Sequence, residues 1–433
     1  MADEINLPNA VLVDGARIPF QRSGTAYNDM MAYDLGRIAI EGLLARSGIN
    51  GSQLDRVIMG TVIQDVNTSN VARESALGAG VPNSVPAHTV TQACISSNQA
   101  ITSAMELIRS GQAEIVLAGG TETMSDIPIR LRKNMRQKLL EARKYKSPGD
   151  WLKFFKGLSF SDFLPEIPSI SEFSTGETMG ESCDRMAARF GISREAQDEY
   201  ALRSHQLAAK ATKEGLLDGE LLPAPVPPKF DPVTHDNTFR EDTSMEKLEK
   251  LRPAFIKPHG TITAGNSSSF TDGASASLIM NEQTALDLGL KPKAYLRNYT
   301  YVAQDPEDEL LLGPAYATPT VLDSMNMKLS DIDVFEFHEA FAGQILTVLK
   351  ALNSDKFARE NLDRDGKVGE IPMDKFNLWG GSLSLGHPFG ATGTRIVTTA
   401  ANRLIQEDGN LALVAACAAG GQGHAIILER YPG

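Results

Sequence analysis

The sequence predicts a layered α/β fold made of two similar halves. Strand-like and helix-like segments alternate over the first 120 residues, and a helix, glycine, strand unit at 100–120 returns at 395–417. The stretch between them changes composition and reads as an insertion.

Taken in chain order, "AVLVDG" (10–15) and "RVIMGTVI" (56–63) are strand-like runs flanking a helical stretch near 32–47. "TQACISSNQAI" (91–101) then leads from a small-residue loop into a helix. Ile101, Met105 and Ile108 recur at helical spacing beside Ala100 and Ala104, and Gly111 supplies the stop. "AEIVLAGG" (113–120) follows as a strand. "RIVTTAANRLIQEDGNLALVAAC" (395–417) repeats the design of "AITSAMELIRSGQAEIVLAGG" (100–120) with little residue identity, which predicts a duplicated fold with the active site between the halves.

Composition narrows the function classes. A chain of 433 residues is too long for one ordinary core, so two or three packed units are expected. A net charge of −12 argues against a general nucleic-acid binder, which needs a basic surface to displace counterions. Cys94, Cys183 and Cys417 form neither a disulfide framework nor a zinc-like spacing, so a reducing compartment is expected. No run approaches the roughly 18 apolar residues of a membrane span. The acidic start, "MADEINLPNA", is unlike a targeting peptide. The expectation is a protein that works in the cytoplasm, or one whose leader has been removed.

The middle segregates charge. Residues 130–156 carry ten Lys or Arg against Glu141 and Asp150, a local charge of +8, and "WLKFFKGLSFSDFLPEIP" (151–168) adds aromatics. This is either a solvated basic face or a surface for anionic lipid or a partner subunit.

Three small-residue turns hold the candidate chemistry. Cys94 lies where a helix begins, so backbone N–H groups and the helix dipole are expected to favour its thiolate. "NLWGGSLSLGHPFGATG" (377–393) puts His387 in a glycine loop before a helix, and "VAACAAGGQGHA" (414–425) puts Cys417 where a strand meets a glycine turn. Neither stretch has the phosphate-loop GxxxxGK pattern, so the glycines are read as allowing backbone N–H groups close to a substrate. Cys183, within "GESCDRMAARF", reads as packing.

With "HEAFAGQ" and "TAGNSSSFTDGASA" (263–276) added, these motifs resemble the thiolase family over nearly the whole chain and in the family order. His338 in place of the usual Asn before "EAF", the "CAAGG" turn and the basic insertion resemble the branch found as β-subunits of the mitochondrial trifunctional protein and its bacterial counterparts. The resemblance implies a thiolase fold of two βαβαβαββ halves in a layered αβαβα core. It divides the chain into 1–129 with 253–283, a loop domain at 130–252 whose basic insertion spans about 130–175, and 284–433. It further implies cleavage of 3-oxoacyl-CoA with coenzyme A as co-substrate, no permanently bound cofactor and no metal.

By the same resemblance Cys94 is the nucleophile, His387 its base and Cys417 the acid and later base. The N–H groups of Cys94 and Ala419 form one oxyanion hole, with Ala419 where glycine is usual. His387 serves the other, where His338 either holds a water or donates directly, and Glu339 orients the cluster or is a buried structural carboxylate. Coenzyme A falls to Arg240, Ala264 and Ser268, the reacting end to Ala340 and Phe341, and Met179 lies over the thioester. A homodimer is implied, with an α-subunit carrying hydratase and 3-hydroxyacyl-CoA dehydrogenase activities, in an α2β2 or larger complex, and peripheral membrane contact. The alternatives are a biosynthetic acetoacetyl-CoA thiolase, a condensing ketoacyl synthase, which has no equivalent of Cys417, and a non-catalytic scaffold subunit, which has no need of the Cys, His, Cys set.

Overall fold

The computed structural model describes residues 8–167 and 171–432. In the N-terminal half, strand β1 (Ala10–Arg17), helix α1 (Ala32–Ser47), β2 (Arg56–Gly60), β3 (Ala87–Val90), α2 (Ser96–Arg109) and β4 (Ile115–Glu122) follow the expected alternation. A long excursion carries α3 (Lys133–Ala142), α4 (Pro148–Lys156), α5 (Met179–Arg189) and α6 (Arg194–Lys213) before β5 (Thr271–Asn281) closes the half. The C-terminal half runs through β6 (Ala294–Ala303), α7 (Gly313–Ser324), β7 (Val334–Phe337), α8 (Ala342–Leu352), α9 (Thr392–Gln406), β8 (Leu411–Ala418) and β9 (Gln422–Arg430).

Strand order repeats between the halves. Across the main sheet it is β7-β8-β9-β6-β1-β5-β4-β2-β3. In each half a parallel pair, β2 with β4 or β7 with β8, is followed by two antiparallel steps, and the N-terminal half adds a second parallel pair, β2 with β3. Within this sheet the described residues join the halves edge to edge at Val11 with Tyr295 and Leu12 with Ala294.

Packing follows the periodicity. Ile101, Met105 and Ile108 of α2 meet Ile396, Ala400 and Leu404 of α9 in one core that also takes residues from both sets of strands. Both helices are therefore central and lined with small residues, which lets backbones approach closely. A second core lies under α1, and a third under α7 and α8. The order of layers is thus helix, sheet, helix, sheet, helix, and the central pair directs the turns ahead of α2 and α9 toward one another.

The basic segment folds as a small helical hairpin. Ser147 caps α4 through the Asp150 N–H, and Pro148 occupies the first turn, where its missing N–H costs nothing. Met135 and Phe154 are buried and Tyr145 packs edge-on against Trp151 and Phe154, so the hairpin has a minimal core of its own. The remaining apolar side chains point outward, with Phe155 63% and Phe160 83% exposed beside Leu140, Leu152 and Phe163. A monomer's surface rarely carries so large an apolar cluster without a use for it.

Candidate active site

The nucleophile candidate sits in a tight turn. Ala93 has φ +46°, and the Ser96 hydroxyl closes the turn by donating to the Ala93 carbonyl while accepting from the Gln92 N–H. Cys94 Sγ faces two backbone donors, the N–H of Ala419 and its own. The helix itself starts only at Ser96. The expected thiolate is corrected here. Although Cys94 keeps a partial opening to the cavity, the protein packed around it outweighs the donors, and burial pushes the thiol up to about 12, with the Glu122 and Glu172 carboxylates acting in the same direction. The free enzyme therefore holds Cys94 as a thiol.

His387 is presented by the turn ahead of α9. The backbone there comes very close to β4. A Cβ on Gly120 would lie 1.8 Å from the Gly390 carbonyl oxygen, so only glycine permits the approach. Glu122, at the end of β4, accepts the Gly390 N–H at 2.9 Å together with the N–H groups of Val62 and Ile63, and clamps the His387 turn to the N-terminal half.

The two imidazoles are tautomerically distinct. His387 Nδ1 lies 2.7 Å from Thr392 Oγ1, whose hydroxyl hydrogen is committed to the Pro388 carbonyl at 3.0 Å. Thr392 must accept, so Nδ1 carries the proton and Nε2 keeps a lone pair. His338 Nδ1 lies 2.8 Å from Ser382 Oγ, which already accepts from Arg395 at 2.7 Å. The Ser382 hydrogen is then free for Nδ1, and His338 bears its proton on Nε2. Both Nε2 atoms are buried without a hydrogen-bond partner, and the ring centroids are 4.0 Å apart. One ring nitrogen from each and Cys94 Sγ all lie within 4.8 Å of one another. Burial and the Arg395 charge hold His338 down at about 3, and burial, His338 and Arg395 hold His387 well below its ordinary value. Both rings are neutral at physiological pH.

Cys417, buried near the end of β8, has its thiol raised by burial and by Cys94. Glu339 is fully buried, and its four hydrogen bonds come from Tyr200, Ser204, Asn377 and the Leu383 N–H. None of these goes to Cys94, His338 or His387, so the carboxylate ties α6 to the 377–384 segment. Cys183 is part of the core beneath α8, as its helical setting predicts.

A cavity of about 670 Å³ opens over Cys94, His387, Cys417 and Ala419, and the same wall includes Met179, Arg240, Ala264, Ser268, Ala340 and Phe341. The Ser268 N–H donates to the Ala340 carbonyl at 3.0 Å and joins two of these segments. Phe255 packs edge-on against Phe341. Arg22 and Arg240 both line the cavity, and their charges, after burial, hold His205 down at about 4. His338 and Glu339 stand behind the wall. Sequence reasoning missed Arg22, Glu122 and Glu172, isolated residues in no motif, whereas Thr392 lay in view within "GATG".

Two thiols and a neutral imidazole base beneath one largely apolar cavity define a cysteine-dependent acyltransferase built on a duplicated α/β core. The chain matches the thiolase N-terminal domain over residues 10–283 and the thiolase C-terminal domain over 290–430, and it belongs to the thiolase family. It is 59% identical to the mitochondrial trifunctional enzyme subunit beta of Mus musculus, covering 99% of this chain and 89% of that protein. To the 3-ketoacyl-CoA thiolase of Yersinia enterocolitica it is 44% identical, covering 96% of each. The crystal structure of human mitochondrial 3-ketoacyl-CoA thiolase in complex with CoA superposes with a TM-score of 0.82 at 30% identity, covering 98% of both chains.

Proposed function

We propose that this protein is a 3-ketoacyl-CoA thiolase of fatty-acid β-oxidation, cleaving a 3-oxoacyl-CoA with coenzyme A to acetyl-CoA and a shortened acyl-CoA. The observation that carries the reading is the convergence of Cys94, Cys417 and His387 at the end of one cavity, with the His338 ring 4.0 Å behind that of His387. The full-length likeness to proteins named for this activity supports it.

The protonation states supply the mechanism. His387 Nε2 takes the Cys94 proton as sulfur attacks the 3-oxo carbon, coupling deprotonation to C–S bond formation. The oxygen of that carbon becomes an alkoxide facing the N–H groups of Cys94 and Ala419. Collapse breaks the bond between carbons 2 and 3, leaves an S-acyl Cys94, and expels the enolate of acetyl-CoA. Its oxygen meets the newly protonated His387 Nε2, with His338 Nε2–H behind it as the second donor of that hole. Cys417 protonates the enolate carbon. It then deprotonates incoming coenzyme A, whose thiolate takes the acyl group, and His387 returns its proton to Cys94. Arg22 and Arg240 give the cavity mouth a charge suited to the phosphates of coenzyme A.

Purified protein incubated with coenzyme A and 3-oxoacyl-CoAs of increasing length is expected to release acetyl-CoA and shortened acyl-CoA in equal amounts. Cleavage confined to acetoacetyl-CoA favours the biosynthetic alternative, and no cleavage rejects the reading.

The domain boundaries given above and a homodimer belong to this proposal. So does an α-subunit with hydratase and 3-hydroxyacyl-CoA dehydrogenase activities, in keeping with the trifunctional relatives. The hairpin 130–156, with its +8 charge and outward aromatics, suits that subunit or an anionic membrane surface, and no helix among the described residues is long and apolar enough to cross a membrane. Replacing five of its basic residues with Gln is expected to weaken α-subunit or liposome binding in a salt-dependent way while short-chain turnover stays almost unchanged. Lost turnover with both associations intact assigns the hairpin to substrate binding instead.

A further inference from the structure

We propose that Glu172 is a positioning residue that holds the Ala419 arm of the thioester oxyanion hole, tying the end of the basic insertion to the turn that follows Cys417. The inference rests on the thiolase reading and adds a residue to it.

Glu172 Oε1 accepts the N–H of Gly420 at 2.8 Å. That N–H belongs to the peptide joining Ala419 to Gly420, next along the chain from the peptide whose N–H faces Cys94 Sγ. The turn needs such a hold. Gly420 and Gly421 have φ of +82° and +65°, and two successive glycines have the widest conformational freedom of any pair. Its other ties lie to one side of the turn, where the Gln304 N–H donates to the Gly421 carbonyl at 2.8 Å and the Gln422 side chain donates to the Ala419 carbonyl at 3.3 Å. Glu172 anchors the turn from the separate segment that leads into α5.

Glu172 is itself fixed. Its N–H donates to the Glu177 carbonyl and its carbonyl accepts the Gly176 N–H, each at 2.8 Å, which closes a short turn. Glu177 accepts from Arg185 Nε of α5 at 3.0 Å, and Thr178 caps the same helix through the Glu181 N–H. The carboxylate thus borrows the rigidity of a helix. It also faces Cys94 closely enough to disfavour the thiolate. Tether and charge are therefore separable. Gln keeps the acceptor and removes the charge, Ala removes both, and Asp keeps the charge on a side chain one methylene too short to reach Gly420.

The test compares wild type with Glu172→Gln, Glu172→Ala and Glu172→Asp in the full-length protein. The measurements are kcat and KM for 3-oxoacyl-CoA cleavage, the rate of Cys94 acylation without coenzyme A, and the rate of Cys94 alkylation by iodoacetamide. Loss of an oxyanion donor costs about 10²- to 10³-fold, and here the donor is loosened, not removed. Ala and Asp are expected to lower acylation and kcat by about tenfold or more with little change in KM, part of that full loss. Gln should stay close to wild type in both. Gln, which keeps the Ala419 donor in place and removes the charge, should alkylate faster than wild type, and Asp should not. A Gln variant that falls as far as Ala, or Ala and Asp variants that cleave as fast as wild type, overturns the proposal while leaving the thiolase reading intact. A wild-type protein that forms no acetyl-CoA rejects both. Should the Ala variant fail to fold, the contrast between Asp and Gln decides alone.

Discussion

The two halves of the core share strand order and layer position but place different chemistry at matching points. Ahead of its central helix the N-terminal half carries Cys94, and the C-terminal half carries His387. At the end of the equivalent strand one half has Glu122 and the other Cys417. The difference lies in what each group faces. Cys417 lines the cavity, whereas Glu122 spends its oxygens on backbone N–H groups from both halves. A duplicated scaffold has thus placed a reacting group ahead of both central helices but one clamp and one reacting group at the two strand ends, and the clamp of the N-terminal half holds the base of the other.

Breaking this comparison at Cys94 has the largest expected effect. Cys94→Ala should abolish the acyl adduct that intact-mass measurement detects after substrate is added without coenzyme A, and a persisting adduct moves the nucleophile elsewhere. Cys417→Ala should still acylate slowly from an activated thioester yet lose turnover by about 10²- to 10⁴-fold, the usual range for a proton-transfer group. Near-normal cleavage removes its role as acid and base.

The pH response sharpens the contrast between the two turns. Because burial pushes the Cys94 thiol up to about 12, the thiolate fraction of the free enzyme should rise about tenfold per pH unit from pH 7 to 10. Alkylation should climb with it, and a plateau near pH 7 restores the helix-end account of a preformed thiolate.

The smallest effect belongs to the clamp. Burial raises Glu122 to about 7, above its ordinary 4.5, so its share of stability is present below pH 4.5 and is lost as pH rises through 7. Glu122→Gln, which does not titrate, should gain stability relative to wild type between pH 5 and 8 by at most about 3 kcal/mol, read by thermal unfolding at each pH. A difference that stays constant or shrinks with pH places the ionised carboxylate in the folded protein throughout.

Local signals made the architecture legible. Helical spacing at Ile101, Met105 and Ile108 gave α2, its echo at 395–417 gave the second half, and both are central because their small, apolar faces can be buried on all sides. Motifs likewise brought Cys94, His387, Cys417 and Ala419 together, since each lies in a short turn of small residues whose backbone demands are local. Tertiary structure alone decided the rest. The charge state of Cys94 turned on desolvation, which depends on every wall of the cavity and on no single neighbour in sequence. The opposite tautomers of His338 and His387 depend on Ser382, Arg395 and Thr392, whose hydroxyl and guanidinium directions exist only in the packed core. Glu122 reaches Gly390, 268 positions away, and Glu172 reaches Gly420, 248 away. A sequence records periodicity and local turns directly, but it records contacts at such separations only through the fold that closes them.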